Sequence, residues 1–172
     1  WLDAAFASDI QLQSQYVRSW KSRVGDAVFK ASGRGPVFAQ GLVEFDPDGG
    51  SLSSEGVAGV SGNVTLVAAF TWTRGSGGWI VSNNDVEAGT GFGVYVGPDG
   101  LVCPHVGSEN SYVSLSALSE GMHVLTLSAS SEEYRLWIDS EVGFEARAGV
   151  AVKESGLPLV IGGRSTPNPL VG

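Results

Sequence analysis

Cysteine occurs once in these 172 residues, at Cys103, so no internal disulfide can form. Within Leu101-Val102-Cys103-Pro104-His105 it reads as a small buried strand residue. A nucleophile needs a base aimed at it, and on a strand the side chain two positions on, His105, shares the face of Cys103 without pointing toward it. His105 and His123 are the only histidines, too few for a zinc-type cluster. Basic residues are scarce as well: 10 Lys plus Arg stand against 18 Asp plus Glu, a formal net charge of −8. That deficit argues against nucleic acid, which demands a basic stripe, and against anionic membrane surfaces. Neutral and cationic partners stay open. No apolar run reaches the ~18 residues of a membrane-spanning helix. There is no internal repeat, heptad, low-complexity tract or linker, and no helix longer than two turns is expected. No signal peptide is visible, but the chain opens on Trp1 rather than Met and reads as a processed or excised piece.

What the chain does have is glycine, 25 of 172 residues, about twice the usual ~7%. With 42% apolar and 9% aromatic residues, this composition suits many tight turns and short strands. A single domain over residues 1–172 is expected, long enough to bury roughly 70% of its unfolded surface without staples.

Short apolar runs separated by turn residues at spacings near ten give the all-β signal. Trp1 to Ala5 reads as an opening strand, Ser8 to Gln15 is ambiguous, and Tyr16 to Trp20 alternates. Leu42 to Phe45 is a strand stopped by Asp46-Pro47-Asp48-Gly49-Gly50. Val64 to Trp72 is the longest apolar run; Val64, Leu66, Ala68, Phe70 and Trp72 share one face. Its other face is nearly as apolar, which predicts a central strand covered on both sides. Gly75-Ser76-Gly77-Gly78 has no phosphate-binding lysine after it and reads as a hairpin loop. Trp79 to Ser82 follows as a strand. Gly97-Pro98-Asp99-Gly100 is a strong turn. A symmetric four-residue loop there sets Val96 opposite Leu101 and Val94 opposite Cys103. Phe92, Val94, Val96, Leu101 and Cys103 then make the apolar face, with Tyr95, Val102 and Pro104 on the other. Tyr112 to Leu115 is a short strand. Val124 to Ser128 pairs with Tyr134 to Asp139 across Ser130-Ser131-Glu132-Glu133, and Val142 to Ala146 and Leu157 to Ile161 complete the set.

Six pieces occur in the order of a known family. They are Trp1-Leu2-Asp3-Ala4; Val17-Arg18-Ser19-Trp20-Lys21; Arg34-Gly35-Pro36 leading to Val43-Glu44-Phe45-Asp46; His123-Val124-Leu125; Leu136-Trp137-Ile138-Asp139; and Leu159-Val160-Ile161-Gly162-Gly163. Together they resemble the concanavalin A-like (laminin-G-like) domains of bacterial and phage surface proteins. The resemblance implies an all-β, antiparallel jelly-roll β-sandwich in which Phe45, Trp137 and Ile161 fill a core. It also implies one further strand after Gly163, of which Leu170-Val171-Gly172 looks like the approach. The chain is therefore expected to lack its closing strand, or to take it from another chain.

For function, the resemblance implies holding sugars or other surfaces more than chemistry. A sugar site needs a flat aromatic for stacking, and Asn or Asp to grip vicinal hydroxyls. Trp79, Asn83, Asn84, Asp85 and Tyr95 make the best cluster, with Asn110 and Tyr112 as a second. Core packing for Trp79 and a plain turn for Asn83-Asn84-Asp85 are the competing readings. Calcium, common in the family, would need six to eight oxygens; Asp46 and Asp48 are the candidate ligands, and Asp85 with Glu87 forms another acidic pair. Glucanases of this fold carry alternating carboxylates about 5 Å apart. The nearest match, Asp139-Ser140-Glu141, reads instead as a turn, so no catalytic residue is expected. The reading is a non-catalytic carbohydrate-binding or adhesion module on a virion or a cell exterior, meeting a host polysaccharide or neighbouring surface subunits. A purely structural virion protein is the alternative, and a glycoside hydrolase a further one.

Overall fold

Along the apolar runs, every second side chain enters a common interior, the period-2 pattern that a pleated strand imposes. The computed structural model describes residues 2–45, 50–56, 59–85, 87–107, 109–110, 116–139, 141–148 and 151–163, with backbone alone for 109–110 and 143–148. Its strands are β1 Ile10–Gln13, β2 Tyr16–Lys21, β3 Val28–Ala31, β4 Val37–Ala39, β5 Leu42–Glu44, β6 Leu52–Ser54, β7 Val64–Trp72 and β8 Gly78–Ser82. They continue as β9 Phe92–Val96, β10 Val102–Val106, β11 Glu109–Asn110, β12 Gly121–Ala129, β13 Glu133–Ile138, β14 Glu141–Ala148 and β15 Val160–Ile161. Every strand pairing is antiparallel. Among the described residues, the single helical element is a 3-10 turn, Ala7–Asp9.

Two sheets result. The long one runs β11-β10-β9-β8-β15-β6-β3-β2-β4-β5, with β1 also on β2, and the short one runs β14-β13-β12-β7. Leu125, Leu127, Tyr134 and Leu136 of the short sheet meet Val81, Phe92, Val94, Val96, Val102 and Val106 of the long sheet in one cluster. This is the antiparallel β-sandwich that the alternation predicts. Leu125, Leu127 and Leu136 are 0% exposed, and burying each contributes about 1.5–3 kcal/mol. A second cluster on the same face of the long sheet gathers Ile10, Val17, Trp20, Phe29 and Leu52, with Leu2, Ala4, Phe38 and Phe45 packed on it. Leu159 touches both clusters.

Several local expectations are corrected. Leu2 to Ala5 is a turn, because the Asp3 carboxylate accepts the Ala5 N–H (3.0 Å) and the Asp3 carbonyl accepts the Phe6 N–H (3.2 Å). The first strand lies instead in the ambiguous stretch, at Ile10–Gln13. Among the described residues β7 is the last strand of its sheet rather than a central one: its inner side chains pack on the core, while Val67 on its other face is 54% exposed. The Gly75–Gly78 segment is not a hairpin, since β7 and β8 belong to different sheets and the segment carries the chain between layers. The indole N–H of Trp72 anchors it on the Ser76 carbonyl (2.8 Å). Trp137 stands opposite Thr126 and Val142 on the outer face of the short sheet, while Leu136 takes the core position. Tyr112 to Leu115 and Leu170 to Gly172 lie outside the described residues.

The β9–β10 hairpin is shifted by one residue from the symmetric expectation. Gly97 and Leu101 close the loop (N–H to carbonyl, 2.8 Å), so Val96 pairs with Val102 and Val94 with Pro104. The cause is Gly100, at φ 82°: a type I turn followed by a left-handed residue makes a three-residue loop with a bulge, not a four-residue one. Val102, Pro104 and Val106 therefore join the inner face, and Cys103 and His105 turn outward beside Tyr95. Cys103 is buried, as expected.

One polar group sits at the margin of the core. The His123 ring, 5% exposed on the inner row of β12, places Nδ1 2.6 Å from Asp139 Oδ2 and Nε2 2.7 Å from the Ser119 carbonyl. Both partners are acceptors, so only the doubly protonated ring satisfies both. Burial alone pulls the pKa of His123 down from 6.5, but the Ser119 carbonyl and the Asp139 carboxylate outweigh it and raise the net value. The Val124 N–H (2.8 Å), followed by His123, holds Asp139 below its ordinary 3.8. The His123 contribution is complete below pH 6.5 and lost as pH rises through the raised pKa; the Asp139 contribution is complete above pH 3.8 and lost as pH falls through the lowered one. Thermal melts should show Tm falling as pH climbs above 6.5, and His123→Gln should flatten that limb while only weakening the acid limb, since the Val124 N–H still holds Asp139 below its ordinary value. A wild-type Tm that is level across the alkaline side would disprove the pairing.

Candidate functional site

The outward shift of β10 builds an aromatic cluster on the face of the long sheet that turns away from the short one. Trp79 on β8 pairs in register with Tyr95 on β9, which pairs with Cys103 on β10. The Trp79 ring lies 5.5 Å from Tyr95 in an edge-to-face arrangement and 4.8 Å from His105, inside the 4.5–7 Å range of favourable aromatic pairs. All three rings are partly exposed.

Gly93 makes the arrangement fit. It sits between Ser82 and His105 in register, and a methyl group there would come within 2.8 Å of Trp79 Cζ3 and 3.0 Å of the Val81 carbonyl. The Cζ3 end of the indole therefore occupies the space over Gly93 where a side chain would otherwise stand. The same outer row continues across the strands as Lys30, Ser53, Val160, Ser82, Gly93, His105 and Asn110. Lys30 is ion-paired with Glu55 at its far end. Asn110 is at the edge of the row, opposite His105.

The structure brings Trp79 and Tyr95 together as the spacing suggested. His105 is the member that sequence reasoning placed elsewhere. The signal for it was the Asp99-Gly100 step, which implies the bulged loop and hence the outward turn of His105.

Asn83 and Asn84 do not stand beside Trp79 at the surface; both are 0% exposed. Asn83 Oδ1 accepts the Phe92 N–H (2.9 Å), and Asn84 Oδ1 accepts the Ser82 hydroxyl (2.5 Å). Their side-chain oxygens satisfy groups inside the β8–β9 connection, which buried polar atoms require. Asp85 exchanges backbone hydrogen bonds with Thr90 (2.9 and 3.0 Å), and its carboxylate accepts the N–H groups of Glu87 and Ala88 (3.1 Å each). The trio thus organises the loop next to the cluster. Tyr112, Asp46 and Asp48 lie outside the described residues. Among the described residues, no group of three or more His, Cys, Asp or Glu is placed to hold a metal ion. Asp139, with φ 52°, sits in the turn between β13 and β14, and its carboxylate is engaged by His123 and Val124.

No family model and no curated protein matches the chain. A solved structure is similar to it: the crystal structure of a beta-1,3-glucanase from Mycobacterium marinum, 14% identical, with 88% of this chain and 70% of that chain covered at a TM-score of 0.36. At that identity and TM-score, the likeness assigns no residue of this chain a role.

Replacing Gly93 tests the geometry of the cluster directly. Gly93→Ala should lower stability by roughly 1–3 kcal/mol, the usual cost of overpacking, and change the near-ultraviolet circular dichroism as Trp79 is lifted from Tyr95 and His105. Unchanged denaturant midpoint and spectrum would show that the ring does not rest on this backbone.

Proposed function

We propose that this chain is a non-catalytic carbohydrate-binding module whose stacking surface is the Trp79, Tyr95 and His105 cluster, bordered by Asn110. The observation that carries the reading is three partly exposed rings gathered on one sheet face, beside a glycine whose missing side chain leaves room for the largest. A sugar face presents aliphatic C–H groups, and an ordered aromatic gives them apolar contact at little conformational cost. The net charge of −8 favours neutral glycans over polyanionic ones, which the field of the protein would repel. In this reading Asn83, Asn84 and Asp85 act by shaping the loop behind Trp79. The setting proposed is the surface of a virion or a cell, where the ligand is a host or neighbouring polysaccharide; this rests on the pattern of Trp1-Leu2-Asp3-Ala4 and its successors. Calcium at Asp46 and Asp48 belongs to the same proposal.

Titration of neutral oligosaccharides into the purified chain should show saturable binding. Trp79→Ala should weaken it at least about tenfold, equivalent to about 1.4 kcal/mol, while lowering Tm much less than Leu136→Ala, whose side chain is 0% exposed. A Trp79→Ala loss of stability as large as that of Leu136→Ala would identify the indole as core. A neutral-glycan panel without a binder would remove the sugar reading. For the cation, added calcium should raise Tm by mass action, and the Asp46→Asn, Asp48→Asn double variant should lose that shift; a wild-type Tm indifferent to calcium and to chelator argues against the site.

A further inference from the structure

Five strands have an unpaired side among the described residues, and they are protected unequally: β1, which pairs with β2 alone, spans four residues and is bulged in register. On the long sheet, β11 spans two residues and β5 three, too short to template another chain. On the short sheet, β14 carries Glu141, Glu145 and Arg147 and is irregular in register against β13. Charge, brevity and irregularity are the usual guards of sheet edges. β7 has none of them. Its nine residues, Val-Thr-Leu-Val-Ala-Ala-Phe-Thr-Trp, contain no charge, proline or glycine, and pair with β12 through nine unbroken register positions. Among the described residues, nothing pairs with its other side.

We propose that a second copy of this chain covers that edge, β7 against β7 about a two-fold axis through Ala68, joining the two short sheets into one of eight strands. The sequence of β7 is complementary to itself under this operation. Antiparallel pairing about Ala68 sets Val64 opposite Trp72, Thr65 opposite Thr71, Leu66 opposite Phe70 and Val67 opposite Ala69. Aromatic with aliphatic and Thr with Thr are pairings that stabilise antiparallel sheets, and no like charges meet. The operation keeps each face continuous: Val64, Leu66 and Phe70, which are only partly buried at the rim of the core, would close against their counterparts. An isologous contact of this kind is self-limiting, ending at two copies rather than growing into a fibre.

Sedimentation or light scattering of the full chain should show a concentration-dependent dimer. The exposed pair Val67→Lys with Ala69→Lys should convert it to monomer with circular dichroism unchanged, because the two-fold brings four like charges together. Val67→Glu with Ala69→Glu should do the same, and mixing the two variants should restore a one-to-one dimer. Amide exchange gives a readout without substitution: half of the β7 amides should gain protection as concentration rises. A wild-type monomer throughout, a dimer that survives both double variants, or β7 amides protected equally at every concentration would each overturn the proposal.

Discussion

Contact between the inward rows of β12 and β13 and those of β8, β9 and β10 is the interaction on which the remaining structure rests. Leu125, Leu127 and Leu136 bury their side chains in one cluster with Val94 and Val102. Once the layers are stacked, the pleat leaves no freedom over which residues face outward. Trp79, Tyr95 and His105 stand on the far side because their neighbours stand on the near one. The candidate site is in this sense a by-product of register, and a slip of one residue in β10 would exchange His105 and Cys103 for Pro104.

That dependence explains what the sequence made legible. Alternation in Val64–Trp72 and Phe92–Val96 announced strands and sorted their side chains into rows, because burial acts on every second position, whereas the resemblance put Trp137 in the core position that Leu136 takes. Short strands such as Val28–Ala31, Val37–Ala39 and Leu52–Ser54 left too little pattern to see, at three or four residues each. Pairing partners were harder still. Nothing within Val64–Trp72 says that it ends its sheet, since the small outer residues Thr65, Ala69 and Thr71 suit a covered face as well as an open one.

The site was legible in part for a similar reason. Trp79 and Tyr95 declare themselves as aromatics in neighbouring strands. Asn83 and Asn84 look the same in sequence whether they serve a ligand or a backbone, and only the buried N–H of Phe92 and the hydroxyl of Ser82 show where their oxygens go. His123 and Asp139 illustrate the converse: separated along the chain, they meet because β12 and β13 form a hairpin with Asp139 just past its end.

The inequality of the two layers has a mechanical consequence. Four strands cannot back the full width of the longer sheet, so the region around Trp20, Phe29 and Leu52 is roofed by Leu2, Ala4, Phe38 and Phe45 instead of by a second layer. Cover made of turns and a short hairpin is held by fewer ladder bonds than cover made of sheet, and local opening follows the weakest cover. The molecule is thus built with a soft flank and a stiff one, which share Leu159 as a common contact, and a pull or a protease reaching the N-terminal third would loosen it there while the aromatic cluster on the stiff flank kept its shape.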